Sequence, residues 1–261
     1  MRSRAISNAT AGVDRTIMTT FDKDTLAELA PKGRLRAAIN LGNAALARRG
    51  DGGQLAGISP DLARELARQT GLELETIIYE GAGKTFADVD SDVWDVAFLA
   101  VDETRARKVD YTAPYVEIEG TYAVPVDSPF QEMDQLDVPH AKILVAQNSA
   151  YDLYLSTALK AAEIVRAETP GASLDQFDRG GHDAVAGVRQ TLEARYANRN
   201  DINILPGSFI SIHQAMCAPK GRPLALAALS SFIEEAKSSG FIAERLRANG
   251  DDTVKIAPPT D

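Results

Sequence analysis

Short apolar runs alternate with amphipathic stretches in the first half of the chain. Buried-strand patterns occur at residues 34–42, 72–80 and 94–101. Between the first two, residues 59–71 repeat apolar positions at helical spacing, with Ser59 at the N-cap position and Gly71 at the end. A shorter helix, capped by Asp24, is predicted within residues 21–33. Strands that alternate with helices in this way predict βαβ units and a mainly parallel sheet.

A second α/β pattern follows and ends in two long helices. Strand patterns occur at 141–150, 162–169, 182–189 and 202–207, and residues 223–250 form a helix pair interrupted at Gly240. Two extended stretches, Thr121–Pro125 and His213–Ala218, are predicted to connect the two units. The sequence therefore predicts an α/β clamshell of two lobes, each a mainly parallel sheet flanked by helices, joined by two hinge strands.

The predicted boundaries follow from these patterns. Residues 1–32 form an N-terminal extension with a short helix, and residues 251–261 form a polar tail. Lobe 1 comprises residues 33–124 and 214–250, and lobe 2 comprises residues 125–213.

Composition and charge narrow the classes of function. The chain has 261 residues, a net charge of -9 and a pI near 5.0, which argues against nucleic acid as a partner. Its single cysteine, Cys217, lies in an apolar stretch and is expected to be a buried structural thiol. No apolar run reaches the length of a membrane span, and the N-terminus lacks the apolar region of a secretory signal. A native N-terminus of this kind predicts a cytoplasmic protein.

Candidate chemistry lies in one charged segment. Directly after the strand pattern at 94–101 come Asp102, Glu103, Arg105, Arg107 and Lys108. A polar loop at the carboxyl end of a strand is where an α/β protein usually meets its ligand. The three histidines are scattered and the glycines match no nucleotide-binding pattern, so we expect neither a metal nor a cofactor.

Two motifs in combination carry a resemblance to a known family. The blocks "DGGQLAGISPDLA" (51–63) and "RARKVDYTAPY" (105–115) resemble those of the type 2 periplasmic binding proteins. The similarity is to solute-binding protein family 3, which serves polar amino acid ABC transporters, and it extends over about residues 33–250. It implies a monomeric, periplasmic, two-lobed protein that closes on one small solute and delivers it to an ABC permease.

The resemblance also implies roles for individual residues. Arg105 takes the place of the family's carboxylate-binding arginine, which suits a guanidinium that donates two parallel hydrogen bonds. Asn40 and Asn43 follow the first strand, where the family places ligand contacts. Ser149 and Ala150 open a helix whose unpaired N–H groups attract an anion. For Asn40 and Asn43, turn formation is the structural alternative, and for Ser149 it is helix capping.

The chain departs from the family where amino acid binders hold the ligand ammonium. At the end of the strand pattern at 182–189, Arg189 and Gln190 stand where an Asp is usual, and Lys84 adds positive charge near the cleft. Asp102, whose structural alternative is an outward, solvated side chain, and a carbonyl near Ala100 are the other candidate partners for an ammonium. The expected ligand is thus a small carboxylate: an amino acid, a derivative or an organic acid. The predicted ligand contacts are Asn40, Asn43, Lys84, Ala100, Arg105, Ser149, Ala150, Arg189, Gln190 and Gln214.

Two other functions remain open at this stage. A few relatives, the cyclohexadienyl dehydratases, use the same fold as enzymes and need a general acid in the cleft. Glu80, Glu117 and Glu119 are the nearest acidic candidates, and none can be assigned that role. A cytoplasmic or sensory binding protein without a transporter is the second alternative.

Overall fold

The computed structural model describes residues 21–260, in which most strands join a single ten-stranded sheet flanked by helices. The first twenty residues of the predicted N-terminal extension lie outside the described residues. The strands are β1 Leu35–Asn40, β2 Arg48–Arg49, β3 Leu55–Ala56, β4 Leu74–Tyr79, β5 Val96–Ala100, β6 Val109–Pro125, β7 Lys142–Ala146, β8 Glu163–Ala167, β9 Ala184–Val188, β10 Ile202–Ile204, β11 Ile210–Pro219 and β12 Lys255–Ile256. The helices are α1 Lys23–Leu29, α2 Ile58–Thr70, α3 Ala82–Ala87, α4 Ala150–Ala158, α5 Pro170–Asp178, α6 Arg189–Tyr196, α7 Pro223–Ser238 and α8 Phe241–Ala248.

The sheet is parallel at its two ends and antiparallel in the middle. Its main order is β4-β1-β5-β11-β6-β9-β7-β8, with β10 and β12 also paired to β6. Strand β1 lies parallel between β4 and β5, and β7 lies parallel between β8 and β9. Helices cover both faces of these parallel parts, which explains why their central strands read as continuous apolar runs. The predicted α/β class is confirmed.

Strands β6 and β11 connect the two ends of the sheet. They pair antiparallel with each other from Ile210 opposite Gly120 to Pro219 opposite Val109. Strand β11 also pairs with β5, and β6 pairs with β9. The stretches predicted as crossings lie within these longer strands. We call the part built on β1, β4, β5, α1–α3, α7 and α8 the first lobe, and the part built on β7–β10 and α4–α6 the second lobe.

Each lobe has apolar packing on both faces of its sheet. In the first lobe Ile39 and Phe232 belong to the cluster on one face, and Trp94 belongs to the cluster on the other. In the second lobe Val145 and Leu144 belong to opposite clusters. The predicted residue boundaries of the lobes remain a prediction.

Two helix starts differ from the predictions. Asp22, not Asp24, caps α1, because its Oδ1 accepts a 2.8 Å hydrogen bond from the N–H of Thr25. Helix α2 begins two residues earlier than predicted, at Ile58, and Gly57, not Ser59, occupies its N-cap with φ 115°. A Cβ on Gly57 would lie 2.3 Å from the carbonyl oxygen of Leu46, so only glycine fits there.

The segment predicted as a polar tail, residues 251–261, contains a short strand that the sequence analysis did not predict. Strand β12 pairs antiparallel with β6, and Val254 and Ala257 on either side of it are buried. Lys237 of α7 donates to the carbonyl of Pro258 at 3.0 Å. The apolar residues of this segment are too few to be distinguished from a loop by periodicity alone.

None of the helices within residues 21–260 has the length and apolar content needed to cross a membrane.

Candidate functional site

A cavity of about 40 Å³ lies between the lobes, at the carboxyl ends of β1 and β5. The first lobe contributes the loops after these strands, the second lobe contributes the start of α4 and the end of β9, and β11 forms the hinge side. This position follows from the topology, because the carboxyl ends of parallel strands gather polar loops at one edge of a sheet.

Arg105 is the charged side chain of this cavity. It opens a short 3-10 turn after β5, and Asp102 Oδ1 shapes that loop by accepting from the N–H groups of Thr104 and Arg105 at 2.8 and 3.1 Å. The Arg105 residue is 1% exposed. Its Nη1 donates to the carbonyl of Ala100 at 3.2 Å, and its Nη2 donates to the carbonyl of Asn148 at 2.7 Å. Within residues 21–260 no carboxylate pairs with it. Arg105 is thus a buried cation in the cavity lining whose guanidinium donates to two main-chain carbonyls.

The carbonyl of Ala100 is already occupied. It accepts the hydrogen bond from Arg105 and a second one, at 2.9 Å, from the hydroxyl of Tyr111. Burial raises the pKa of Tyr111 above its usual range, so the phenol remains a donor. Since a carbonyl oxygen has two lone pairs, Ala100 has no acceptor left for a ligand ammonium.

Two asparagines line the cavity after β1, as the sequence predicts. Asn40 Oδ1 accepts from the N–H of Gly42 at 2.9 Å, so this side chain also holds the turn. Asn43 is buried, and its Oδ1 has no hydrogen-bond partner among residues 21–260. Gln214 of β11 is 6% exposed and lines the hinge side. Asn43 therefore has unused hydrogen-bonding capacity next to the cavity.

The second lobe contributes the start of α4. Ser149 is its N-cap, with Oγ accepting from the N–H of Asp152 at 3.1 Å, and Ala150 follows as the first helical residue. Asn148 has φ 58° and donates its N–H to the Asp152 carboxylate at 2.8 Å. Ser149 therefore caps the helix and lines the cavity at once.

The lobes touch at the rim of the cavity. A Cβ on Gly83 of α3 would lie 2.9 Å from both Asn148 Cβ and the Gln147 carbonyl oxygen of the second lobe. Beside this contact, Lys84 Nζ pairs with Glu168 at 2.7 Å. Lys84 is among the predicted ligand contacts, but the structure places it at this rim and outside the cavity lining.

Arg189 and Gln190 also lie outside the cavity, against the prediction. Strand β9 ends at Val188, which lines the cavity, and the next residue begins α6. Arg189 instead pairs with Glu119 at 2.9 Å, and Gln190 donates to the carbonyl of Thr253 at 3.3 Å. Both line a separate depression of about 250 Å³ on the solvent-exposed hinge side. Sequence spacing alone does not show whether the residue after a strand points its side chain into the cavity or away from it.

The apolar walls were missed by the sequence analysis. Phe98, Ile212, Pro170 and Val188 line the cavity together with Tyr151. Alternation along β5 and β11 is a signal for Phe98 and Ile212, which share a face with Ala100 and Gln214. Nothing in the sequence signals Pro170, because it comes from the start of a helix in the other lobe.

The acidic candidates for catalysis are not in the cavity. Glu117 pairs with Lys255 at 2.6 Å, and Glu119 pairs with Arg189. Neither they nor Glu80 is among the cavity-lining residues. Across residues 21–260 no group of His, Cys, Asp and Glu side chains is placed to hold a metal ion.

Comparisons with known proteins extend these findings. The family described as bacterial extracellular solute-binding proteins, family 3, matches residues 35–248. No curated protein gives a significant match.

Solved structures match over most of the chain. A mutant of ArgBP from T. maritima has a TM-score of 0.77 and 22% identity, covering 87% of this chain and 99% of that one. A cysteine-binding protein from Campylobacter jejuni has a TM-score of 0.78 and 16% identity, with 90% and 99% covered. AbpA, an amino acid ABC transporter substrate-binding protein from Streptococcus pneumoniae bound to L-arginine, has a TM-score of 0.75 and 21% identity, with 87% and 98% covered. At these identities the matches show the two-lobed fold.

Proposed function

This chain belongs to the bacterial extracellular solute-binding proteins of family 3, and from that premise we propose that it captures a small carboxylate between its lobes for an ABC importer. The solute would be held in the cavity beside Arg105 and released to a permease in the membrane. We further propose that the protein acts outside the cytoplasm, as a monomer and without a cofactor.

The buried guanidinium of Arg105 carries this proposal. A cation removed from water is stable only when an anion or several acceptors replace its hydration. Carbonyl oxygens satisfy two of its N–H groups, and neither carries a full charge. A ligand carboxylate supplies the missing charge, and the N-terminus of α4 with Ser149 faces the same cavity from the second lobe.

Closure follows from the same geometry. Arg105 belongs to the first lobe, while its partner Asn148 belongs to the second. A solute that contacts both sides binds the closed form more tightly than an open one, so binding shifts the population toward closure. The proposed contacts are Asn40, Asn43, Arg105, Ser149, Ala150 and Gln214.

Binding without catalysis is supported by the lining of the cavity. A dehydratase would need a general acid there. Among the described residues of the lining no carboxylic acid or histidine is present, and burial raises the pKa of Tyr151 to about 12. We therefore propose a binding protein and not an enzyme.

A thermal-shift screen tests the proposal. Purified protein is heated with a panel of amino acids, their derivatives and organic acids, alongside Arg105→Met and, as a matched control, Arg107→Met, whose side chain is exposed. A ligand at a hundred times its dissociation constant adds about 2.7 kcal/mol, or roughly 5–10 °C. We expect an acid to stabilise the wild type and Arg107→Met but not Arg105→Met. A panel without any stabilising acid contradicts the proposal.

A further inference from the structure

The charges lining the cavity are of one sign. Arg105 is a cation, and the other polar side chains, Asn40, Asn43, Ser149, Tyr151 and Gln214, are neutral. No carboxylate is among the described residues that line it. A zwitterionic ligand would place its ammonium in this buried space beside a guanidinium, with no negative side chain to balance it. Burying a charge without a counter-charge is costly.

The main-chain oxygens near Arg105 cannot take the place of a carboxylate as partners for a ligand ammonium. The carbonyl of Ala100 uses both of its lone pairs, for Arg105 and Tyr111. The carbonyl of Asn148 accepts a further hydrogen bond from Arg105. An ammonium has three N–H groups, each of which needs an acceptor when buried, and these two oxygens have one free lone pair between them, at Asn148, which is too few for an ammonium site.

Asn43 offers a neutral acceptor that is unused. The Oδ1 of Asn43 is buried and has no donor within the described residues. An unpaired buried amide oxygen costs free energy, and a single O–H group from a ligand removes that cost. The remaining lining is largely apolar, with Phe98, Val188 and Ile212 around a small volume. The cavity therefore matches a compact acid with a neutral donor.

We propose that the solute is a compact α-hydroxy acid, or an acid with an equivalent neutral O–H donor, and not a zwitterionic amino acid. This rests on the proposed function, since it identifies the solute of the same cavity. Its carboxylate pairs with Arg105, its hydroxyl donates to Asn43, and its carbon chain contacts the apolar wall.

Matched pairs of acids test this by isothermal titration of the full chain. The probes are glycolate against glycine, lactate against alanine, and α-hydroxybutyrate against α-aminobutyrate. Within each pair the size is nearly constant and only the hydroxyl or ammonium differs. We expect at least one hydroxy acid to bind about tenfold or more tightly than its amino partner.

The outcomes separate this inference from the proposed function. If an amino acid binds as tightly as its hydroxy partner and Arg105→Met abolishes both, the inference is wrong while the proposed function stands. If no member of these pairs and no acid in the thermal-shift panel binds, the proposed function is wrong as well.

Asn43→Asp provides a second test, because it should shift the preference from the hydroxy acid to the amino acid. The substitution keeps the shape of the side chain and adds the missing carboxylate. We expect it to lower the affinity for the hydroxy acid and to raise that for the amino partner, each about tenfold. Asn198→Asp, at an exposed position, is the control and should change neither. An unchanged preference in a folded Asn43→Asp protein contradicts the assignment of Asn43.

Discussion

The Nη2 atom of Arg105 in the first lobe donates a 2.7 Å hydrogen bond to the main-chain carbonyl of Asn148 in the second lobe. The same side chain lines the cavity between the lobes. Under the proposed function, ligand binding and lobe closure would depend on one residue, because a carboxylate that pairs with this guanidinium would also fix the group that joins the lobes.

Gly83→Ala tests whether the lobe contact controls binding. The added Cβ would lie 2.9 Å from Asn148 Cβ and from the Gln147 carbonyl oxygen, closer than such contacts allow. The closed form is destabilised while the first lobe stays folded, so we expect ligand affinity to fall about tenfold. Isothermal titration measures this.

Gly171→Ala is the matched control for that substitution. Gly171 is likewise the second residue of a helix, and a Cβ there meets only Thr169 Oγ1, at 4.0 Å. We expect it to leave affinity unchanged. Equal affinities for the two variants would show that the contact at Gly83 does not limit closure.

Asp95→Asn is expected to destabilise the first lobe. The Asp95 side chain is fully buried and accepts from Arg36 at 2.7 and 2.9 Å and from Arg222 at 3.1 Å. Without its charge, two arginines lose their shared partner, and we expect the free energy of unfolding to fall by about 3 kcal/mol. Urea denaturation measures it.

The control is Asp90→Asn, which removes an exposed partner of Lys108. An exposed pair contributes little, so the expected change is below about 1 kcal/mol. A loss at Asp95 no greater than this would mean that the buried cluster is unimportant for stability.

Stability is expected to fall at alkaline pH. Burial raises the pKa of Cys217 from 9.0 to about 12 and that of Tyr151 from 10.0 to about 12. Between these values the unfolded chain releases protons that the folded protein retains, so the free energy of unfolding decreases as the pH rises. Below about pH 9 both groups stay protonated in the folded and the unfolded chain, so neither contributes to the pH dependence of stability.

Urea unfolding across this pH range checks the sign. In Cys217→Ala the thiol contribution is absent, and the decrease between the pKa values of the unfolded and folded thiol should be shallower than in the wild type. A decrease of the same slope in both proteins would show that the thiol does not account for it.

The sequence analysis located the polar side of the cavity because that side follows strand ends. Asn43 and Arg105 follow β1 and β5, and Ser149 begins the helix after β7. Each of these positions could be predicted from local sequence patterns together with the family resemblance. The roles of these residues in binding remain predictions.

Other features depend on distances between remote segments and could not be read from the pattern. The contact of Gly83 with Asn148 joins residues far apart in the chain, and Arg189 turns toward Glu119 because of where α6 begins. Strand β12 has two residues and no periodicity, so only its pairing with β6 reveals it.

A thermodynamic cycle tests most directly whether Arg105 pairs with the carboxylate of the ligand. It compares the tightest-binding acid of the panel with its neutral primary amide, on the wild type and on Arg105→Met, by isothermal titration. If Arg105 pairs with the carboxylate, the amide loses affinity for the wild type but little for the variant, with a coupling energy of about 2 kcal/mol. A coupling energy within about 0.5 kcal/mol of zero would mean that the carboxylate lies elsewhere and would contradict the account.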